Sequence, residues 1–147
     1  LHRRLLPLLV ALVREGRIRS AHDAAEGGIA VALAECLWGD PERMLGADVN
    51  LRATVDEDAP AAALLFGETQ GRVIVTTDED GGPALSERAR GAAVPCAAIG
   101  TVQPLEHGLR IAGAGPTLHL PTEAAAEAYF GAIPTIMARK ARTGEAA

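Results

Sequence analysis

The chain has 147 residues, of which 48% are hydrophobic and 22% charged; that balance excludes a disordered polymer and suits one soluble globular domain. A net charge of −5, with no basic stripe carrying interleaved aromatics, excludes a nucleic-acid surface. Aromatic residues make up only 3%, so the core must be built from Ala, Val, Leu and Ile, and a chain of this length can bury roughly 68% of its unfolded surface.

The N-terminal segment His2-Arg3-Arg4 followed by Leu5–Val13 has the basic and apolar regions of a signal peptide. The residues after it, Arg14-Glu15-Gly16-Arg17, form no cleavage site, and the apolar run is too short to span a bilayer. Leu5, Leu8, Leu9, Leu12 and Val13 instead fall on one face of an amphipathic helix that Gly16 terminates. The first residue is Leu rather than Met, and a chain cut from something longer is expected.

Arg17-Ile18-Arg19-Ser20 alternates like a short strand, and Ile29, Leu33, Cys36 and Leu37 recur at helical spacing. The corner between them, His22-Asp23-Ala24-Ala25-Glu26-Gly27-Gly28, reads as a helix start in which Asp23 caps and Glu26 closes a capping box. The same carboxylates have a second use, because a divalent cation held there would bridge to phosphate oxygens at the helix N-terminus.

Gly46–Ala53 alternates as a strand, and Asp58-Ala59-Pro60 opens a short helix through Leu65. Phe66–Arg72 is a polar turn bracketed by glycines that feeds Val73–Thr77, a β-branched run predicted to be a buried strand. Gly81-Gly82-Pro83 opens a helix to about Ala92. Strands are predicted at Ala97–Val102, Leu109–Ile111 and Thr117–Leu120, the last two joined through Gly113–Pro116. A terminal helix should begin at Pro121-Thr122-Glu123, with Pro134 breaking or kinking it and a frayed tail after Arg142. Helices mixed with strands, some in hairpins, imply an α+β layered domain spanning residues 1–147, without repeat or linker.

Cys36 and Cys96 lack C-x-x-C spacing and read as reduced, packed thiols of a cytoplasmic protein. Nucleotide-loop, nucleophile-elbow and zinc-protease signatures are missing. Gly113-Ala114-Gly115 precedes a strand, where a dinucleotide loop needs a helix. The histidines at 2, 22, 107 and 119 show no metal-ligand spacing, and His107 reads as solvated. No residue is assigned a catalytic role.

Three segments nevertheless carry a resemblance, in chain order. Ser20-Ala21-His22-Asp23-Ala24-Ala25-Glu26-Gly27-Gly28-Ile29-Ala30-Val31-Ala32-Leu33-Ala34-Glu35, then Leu65–Val73 (Leu-Phe-Gly-Glu-Thr-Gln-Gly-Arg-Val), then Tyr129-Phe130-Gly131-Ala132-Ile133-Pro134 resemble segments of the phosphoribosylformylglycinamidine synthase family. The match is to the C-terminal domain of that enzyme's second, duplicated half. Aminoimidazole ribonucleotide synthetase, selenophosphate synthetase, thiamine-monophosphate kinase and a hydrogenase maturation factor share the domain.

The resemblance implies a layered α/β/α domain whose mixed sheet has partial ferredoxin-like topology. It also implies an ATP-dependent ligase of purine biosynthesis that converts formylglycinamide ribonucleotide and glutamine-derived ammonia to the amidine, with Mg2+ and ATP or ADP as cofactors. Its partners would be N-terminal domains of the same enzyme and a glutaminase subunit or domain, with no nucleic acid and no membrane. Those N-terminal domains supply much of the nucleotide site, so the isolated chain is expected to be inactive. Carried over position by position, Asp23 becomes the metal ligand, and His22, Glu68, Thr69, Gln70 and Arg72 become substrate- or nucleotide-binding residues. The second half is implied to face an auxiliary, largely structural nucleotide site. Ala24 and Ala25 stand where the family has Ser or Cys, and Gly71 where it has Ser, so three polar groups are lost; Thr69 replaces Ser and keeps its hydroxyl. If the carry-over is right, Asp23 lies near Glu68 and Gln70 around one polar pocket. A stand-alone binding module of the same fold, or a domain of another superfamily member, is the alternative.

Overall fold

The computed structural model describes residues 1–54 and 59–143. Helix α1 (His2–Arg14) leads into strand β1 (Ser20–Asp23) and helix α2 (Gly28–Trp38). Strand β2 (Gly46–Asn50), a 3-10 turn and helix α3 (Ala61–Phe66) follow, then strand β3 (Val73–Thr76) and helix α4 (Gly81–Gly91). Strand β4 (Gly100–Gln103), a second 3-10 turn (Leu105–His107), strands β5 (Leu109–Ala112) and β6 (Leu118–Leu120), and helix α5 (Thr122–Thr143) complete the order.

The strands form a mixed four-stranded sheet in the order β4-β2-β5-β6 and a separate two-stranded ribbon of β1 and β3. β2 runs parallel to β5, with Val49 opposite Ile111, and antiparallel to β4. Alternation decides which side of β2 is buried: Ala47 and Val49 face the core while Asp48 points away. The core packs one side of α2 (Ile29, Leu33, Leu37, Trp38) on that face, with Leu51, Leu65, Leu109 and Ile111 closing it. Burying each of these large aliphatic side chains contributes about 1.5–3 kcal/mol. The Trp38 indole N–H donates to the Leu45 carbonyl at 3.2 Å, which satisfies the one polar atom on that side chain. A smaller cluster of Leu5, Ala89 and Val94 joins α1 to α4.

The mixed sheet and α+β class agree with the sequence reading, while several local expectations need correction. The first strand lies at Ser20–Asp23 and not at Arg17–Ser20, because Gly16 in a left-handed turn must first reverse the chain. β2 ends at Asn50, where its side chain accepts the Arg52 N–H and bends the backbone into the 3-10 turn. β3 is half-buried rather than buried, since a two-stranded ribbon offers less cover than a sheet centre. The segment predicted as a strand from Ala97 becomes one only at Gly100, where pairing with β2 begins. Val13 is exposed although α1 buries Leu5 and Leu12. α5 continues through Pro134 unbroken. Cys96 is exposed rather than packed. Asp58 and the tail from residue 144 lie outside the described residues.

Candidate functional site

The β1–α2 corner is built by pairing first and capping second. In the ribbon, His22 lies opposite Ile74 and Asp23 opposite Val73. One residue later the Ala24 N–H donates to the Arg72 carbonyl at 3.0 Å, so the end of β1 and the start of β3 are fastened together. The chain then turns through Gly27 (φ 73°), the N-cap, and Gly28 (φ 69°), the first residue of α2, both left-handed. Glycine is required at 28 for a second reason: an added Cβ would sit 2.7 Å from the Leu65 carbonyl oxygen. Its absence lets α2 start directly against the end of α3.

That geometry overturns the expected cap. The N-cap of α2 is Gly27, which has no side chain, and neither Asp23 nor Glu26 caps the helix. Two successive left-handed glycines put the N-cap four residues past Asp23, so the Asp23 side chain is not at the capping position. The capping oxygen comes from Glu68, whose Oε1 accepts the Gly27 N–H at 3.0 Å. Glu68 thereby places a carboxylate at the positive end of the helix dipole. Its turn is braced from within, because the Arg72 Nη2 donates to the Gly67 carbonyl. Arg72 Nε is enclosed and has no hydrogen-bond partner, a rare condition for a buried donor.

The remaining predicted residues divide into two kinds. His22 is engaged: Nδ1 lies 2.8 Å from the Asp23 carbonyl oxygen and Nε2 lies 3.6 Å from Glu35 Oε2. Asp23, Thr69 and Gln70 are exposed. The two segments that resemble family motifs thus meet at one corner, joined by Gly27–Glu68 and Ala24–Arg72. Glu35 was not foreseen, yet it lies two turns beyond Gly28 and so on the same side of α2 as the corner. An open cavity of about 900 Å3 lies between α1 and α4, and none of the corner residues lines it.

A second polar cluster lies on the outer face of the sheet. Asp48 accepts from Arg110 Nη1 at 2.9 Å, and His107 Nε2 sits 4.0 Å from its other oxygen. His107 is therefore half-buried beside a carboxylate and not solvated as expected. Among the described residues no group of three or more His, Cys, Asp or Glu side chains is placed to hold a metal ion. Magnesium commonly takes only one or two carboxylates together with waters and phosphate oxygens. The exposed Asp23 carboxylate fits that partial role. Among the described residues no helix is long and apolar enough to cross a membrane.

Comparison with known proteins covers most of the chain. The family model for the AIR synthase related protein, C-terminal domain, matches residues 2–111. The phosphoribosylformylglycinamidine synthase subunit PurL of Chlorobium luteolum is 37% identical over 129 residues, 88% of this chain and 17% of that protein. PurL of Synechococcus elongatus is 38% identical over 142 residues, 95% of this chain and 18% of that protein. The structure of Thermotoga maritima PurL complexed with FGAR superposes with a TM-score of 0.72 at 24% identity, covering 84% of this chain and 20% of that one. The chain thus spans less than one-fifth of the length of these curated relatives. With three-quarters of its length matched by one family and its fold matched by solved structures, the chain belongs to the AIR synthase related C-terminal domain family.

Proposed function

We propose that this chain is the C-terminal domain of the second half of a PurL-type phosphoribosylformylglycinamidine synthase, a ligase of purine biosynthesis, and that it is inactive alone. The observation that carries the reading is the meeting of Ser20–Gly28 with Leu65–Val73 at the α2 N-terminus. Two stretches that resemble the family's motifs form one corner although 41 residues separate Gly27 from Glu68. Identities of 37% and 38% to PurL proteins support the same assignment.

In this reading the enzyme uses ATP and glutamine-derived ammonia to convert formylglycinamide ribonucleotide to the amidine, in the cytoplasm. Nucleotide binding is supported by the T. maritima PurL structures complexed with ADP and with ATP. Magnesium, when bound with a nucleotide, neutralises phosphate charge. The chain's own residues bind and orient. Asp23 offers an exposed carboxylate at the ribbon's end, and Thr69 and Gln70 offer neutral polar groups on the adjoining turn. Arg72 braces that turn, and Glu68 holds it to α2. His22 lies beside Glu35 at the corner, with Nε2 3.6 Å from its carboxylate. The partners would be the N-terminal domains of the same enzyme and a glutaminase; T. maritima PurL, similarly, is known in a structure of PurLQS.

The test is growth and turnover. The complete polypeptide carrying this domain should restore purine-independent growth to a bacterium lacking PurL, and failure to do so sinks the assignment. The 147-residue chain, given ATP, ammonia and formylglycinamide ribonucleotide, should release no phosphate above background. Clear turnover would show that the missing domains are not needed.

A further inference from the structure

We infer that the groove between α1 and α4 binds a single-chain anionic amphiphile, a fatty-acid anion, with its carboxylate on Arg3 and Arg4 and its alkyl chain along the apolar floor. The cavity of about 900 Å3 has the size of a small-molecule site. Leu8, Ala11 and Leu12 of α1 and Ala84 and Leu85 of α4 line it with aliphatic surface. On α1 the lining runs from Arg3 to Glu15, about 18 Å along the helix.

The groove exists because α1 and α4 touch through few large side chains. Leu5, Ala89 and Val94 join the helices. Gly81, Gly91 and Ala92 of the lining are too small to fill the space beside that contact. At Gly91 an added Cβ would meet nothing within 4 Å. None of these residues belongs to the corner described above, so the groove and the PurL reading stand or fall separately.

Charge selects the occupant. Arg3, Arg4, Arg17 and Arg88 line the groove against Glu15 and Glu87, an excess of positive charge on a chain whose net charge is −5. Arg88 is committed to Glu15 at 2.7 Å. Arg3, Arg4 and Arg17 form no ion pair among the described residues, and the first turn of α1 contains no acidic residue. Exposed arginines on their own are an ordinary solvated surface. Here two adjacent ones border an apolar trough, and a guanidinium pairs with a carboxylate through two parallel hydrogen bonds.

The rest of the lining narrows the chemistry. It contains no aromatic ring and no Asn, Gln, Ser or Thr side chain. Nothing is there to stack on a base or to read a sugar by directional hydrogen bonds. An alkyl chain needs neither, and each methylene that leaves water adds to its affinity. An acidic peptide helix would need cations spaced along its length. Arg3 and Arg4 instead stand together at one end of α1, Arg17 lies beyond the other, and Arg88 between them is already neutralised.

Titration calorimetry of the complete polypeptide that carries this chain tests the site, with laurate kept below its micelle concentration. Laurate should bind, and dodecyl alcohol, which has the same chain without the charge, should bind at least about tenfold more weakly. Arg3→Gln with Arg4→Gln should weaken laurate by about tenfold or more. Gly91→Leu, which fills open space, should weaken it as much while the unfolding midpoint does not fall. Absence of laurate binding at about millimolar concentration overturns the proposal, as does equal affinity for the alcohol. Wild-type affinity in either variant also overturns it. Binding to vesicles of anionic phospholipid without binding to laurate monomers would give the groove to a membrane surface and overturn it as well.

Discussion

The Glu68 carboxylate caps helix α2 by accepting the Gly27 N–H at 3.0 Å, from a turn 41 residues along the chain. A local cap depends on a neighbouring side chain, whereas this one depends on the tertiary fold. The α2 start, the turn and the ribbon end are joined by hydrogen bonds, so what disturbs one should be felt by the others.

Removing that cap should cost what other caps cost. Glu68→Ala is expected to destabilise the chain by about 1 kcal/mol, within the range of N-cap deletions. Glu68→Gln keeps an acceptor oxygen and should lose less. Denaturant unfolding of the three proteins checks this, and equal stability of all three would mean that the Gly27–Glu68 bond contributes nothing in solution.

Gly28→Ala should be worse than Gly16→Ala. Both positions have positive φ, and a left-handed non-glycine residue costs on the order of 1 kcal/mol. At Gly16 nothing lies within 4 Å of the added Cβ, whereas at Gly28 it meets the Leu65 carbonyl oxygen at 2.7 Å. The expected loss at 28 is about 2 kcal/mol or more, because backbone of α3 must shift as well. Matching midpoint shifts for the two variants would contradict the close packing of α2 on α3.

Asp23→Asn should leave stability within about 0.5 kcal/mol, as for surface residues without special contacts, since Asp23 is exposed and is not the helix cap. Magnesium–nucleotide binding by the complete polypeptide should nevertheless weaken, because a hard cation prefers the carboxylate to the amide. Isothermal titration with MgADP reads this effect, and unchanged affinity would remove Asp23 from the proposed site.

The exposed Arg19–Asp78 pair gives a pH dependence of known sign. Two hydrogen bonds, at 2.7 and 2.9 Å, and the guanidinium charge hold the Asp78 carboxyl below its usual pKa. A carboxyl with a depressed folded-state pKa adds stability above its unfolded pKa and loses it as pH falls through the folded value. The difference in stability between the wild-type chain and Asp78→Asn should therefore shrink as acid is added, from a small value at neutral pH. A difference that grows with acid would reverse the sign argued here.

The two cysteines should separate by reactivity. Burial, and secondarily the neighbouring Glu35 charge, pushes the Cys36 thiol pKa up, while Cys96 is exposed. Thiolate is the reacting form, so iodoacetamide should label Cys96 first and Cys36 several-fold more slowly. Mass spectrometry of the peptides at intermediate times gives the order directly.

Local chemistry made much of the secondary structure legible in advance. The Leu5–Leu12 stripe ended by Gly16, the Ile29–Leu37 helix and the Leu109–Leu120 hairpin follow from periodicity and turn residues, which act over a few positions. The resemblance of Ser20–Glu35 and Leu65–Val73 also indicated which residues belong together. Sequence spacing did not show that β1 and β3 leave the main sheet as a ribbon, that Glu68 rather than Asp23 caps α2, or that His107 faces Asp48. Each of these depends on two segments distant in the chain arriving at the same place. Arg72 is the clearest case: its position in a polar turn is readable from neighbouring residues, but its enclosed, unpartnered Nε is visible only in the folded chain. Nearest-neighbour conformational preferences decide helices and turns, whereas burial and long-range hydrogen bonds decide which polar groups meet, and those are set only when the chain has folded.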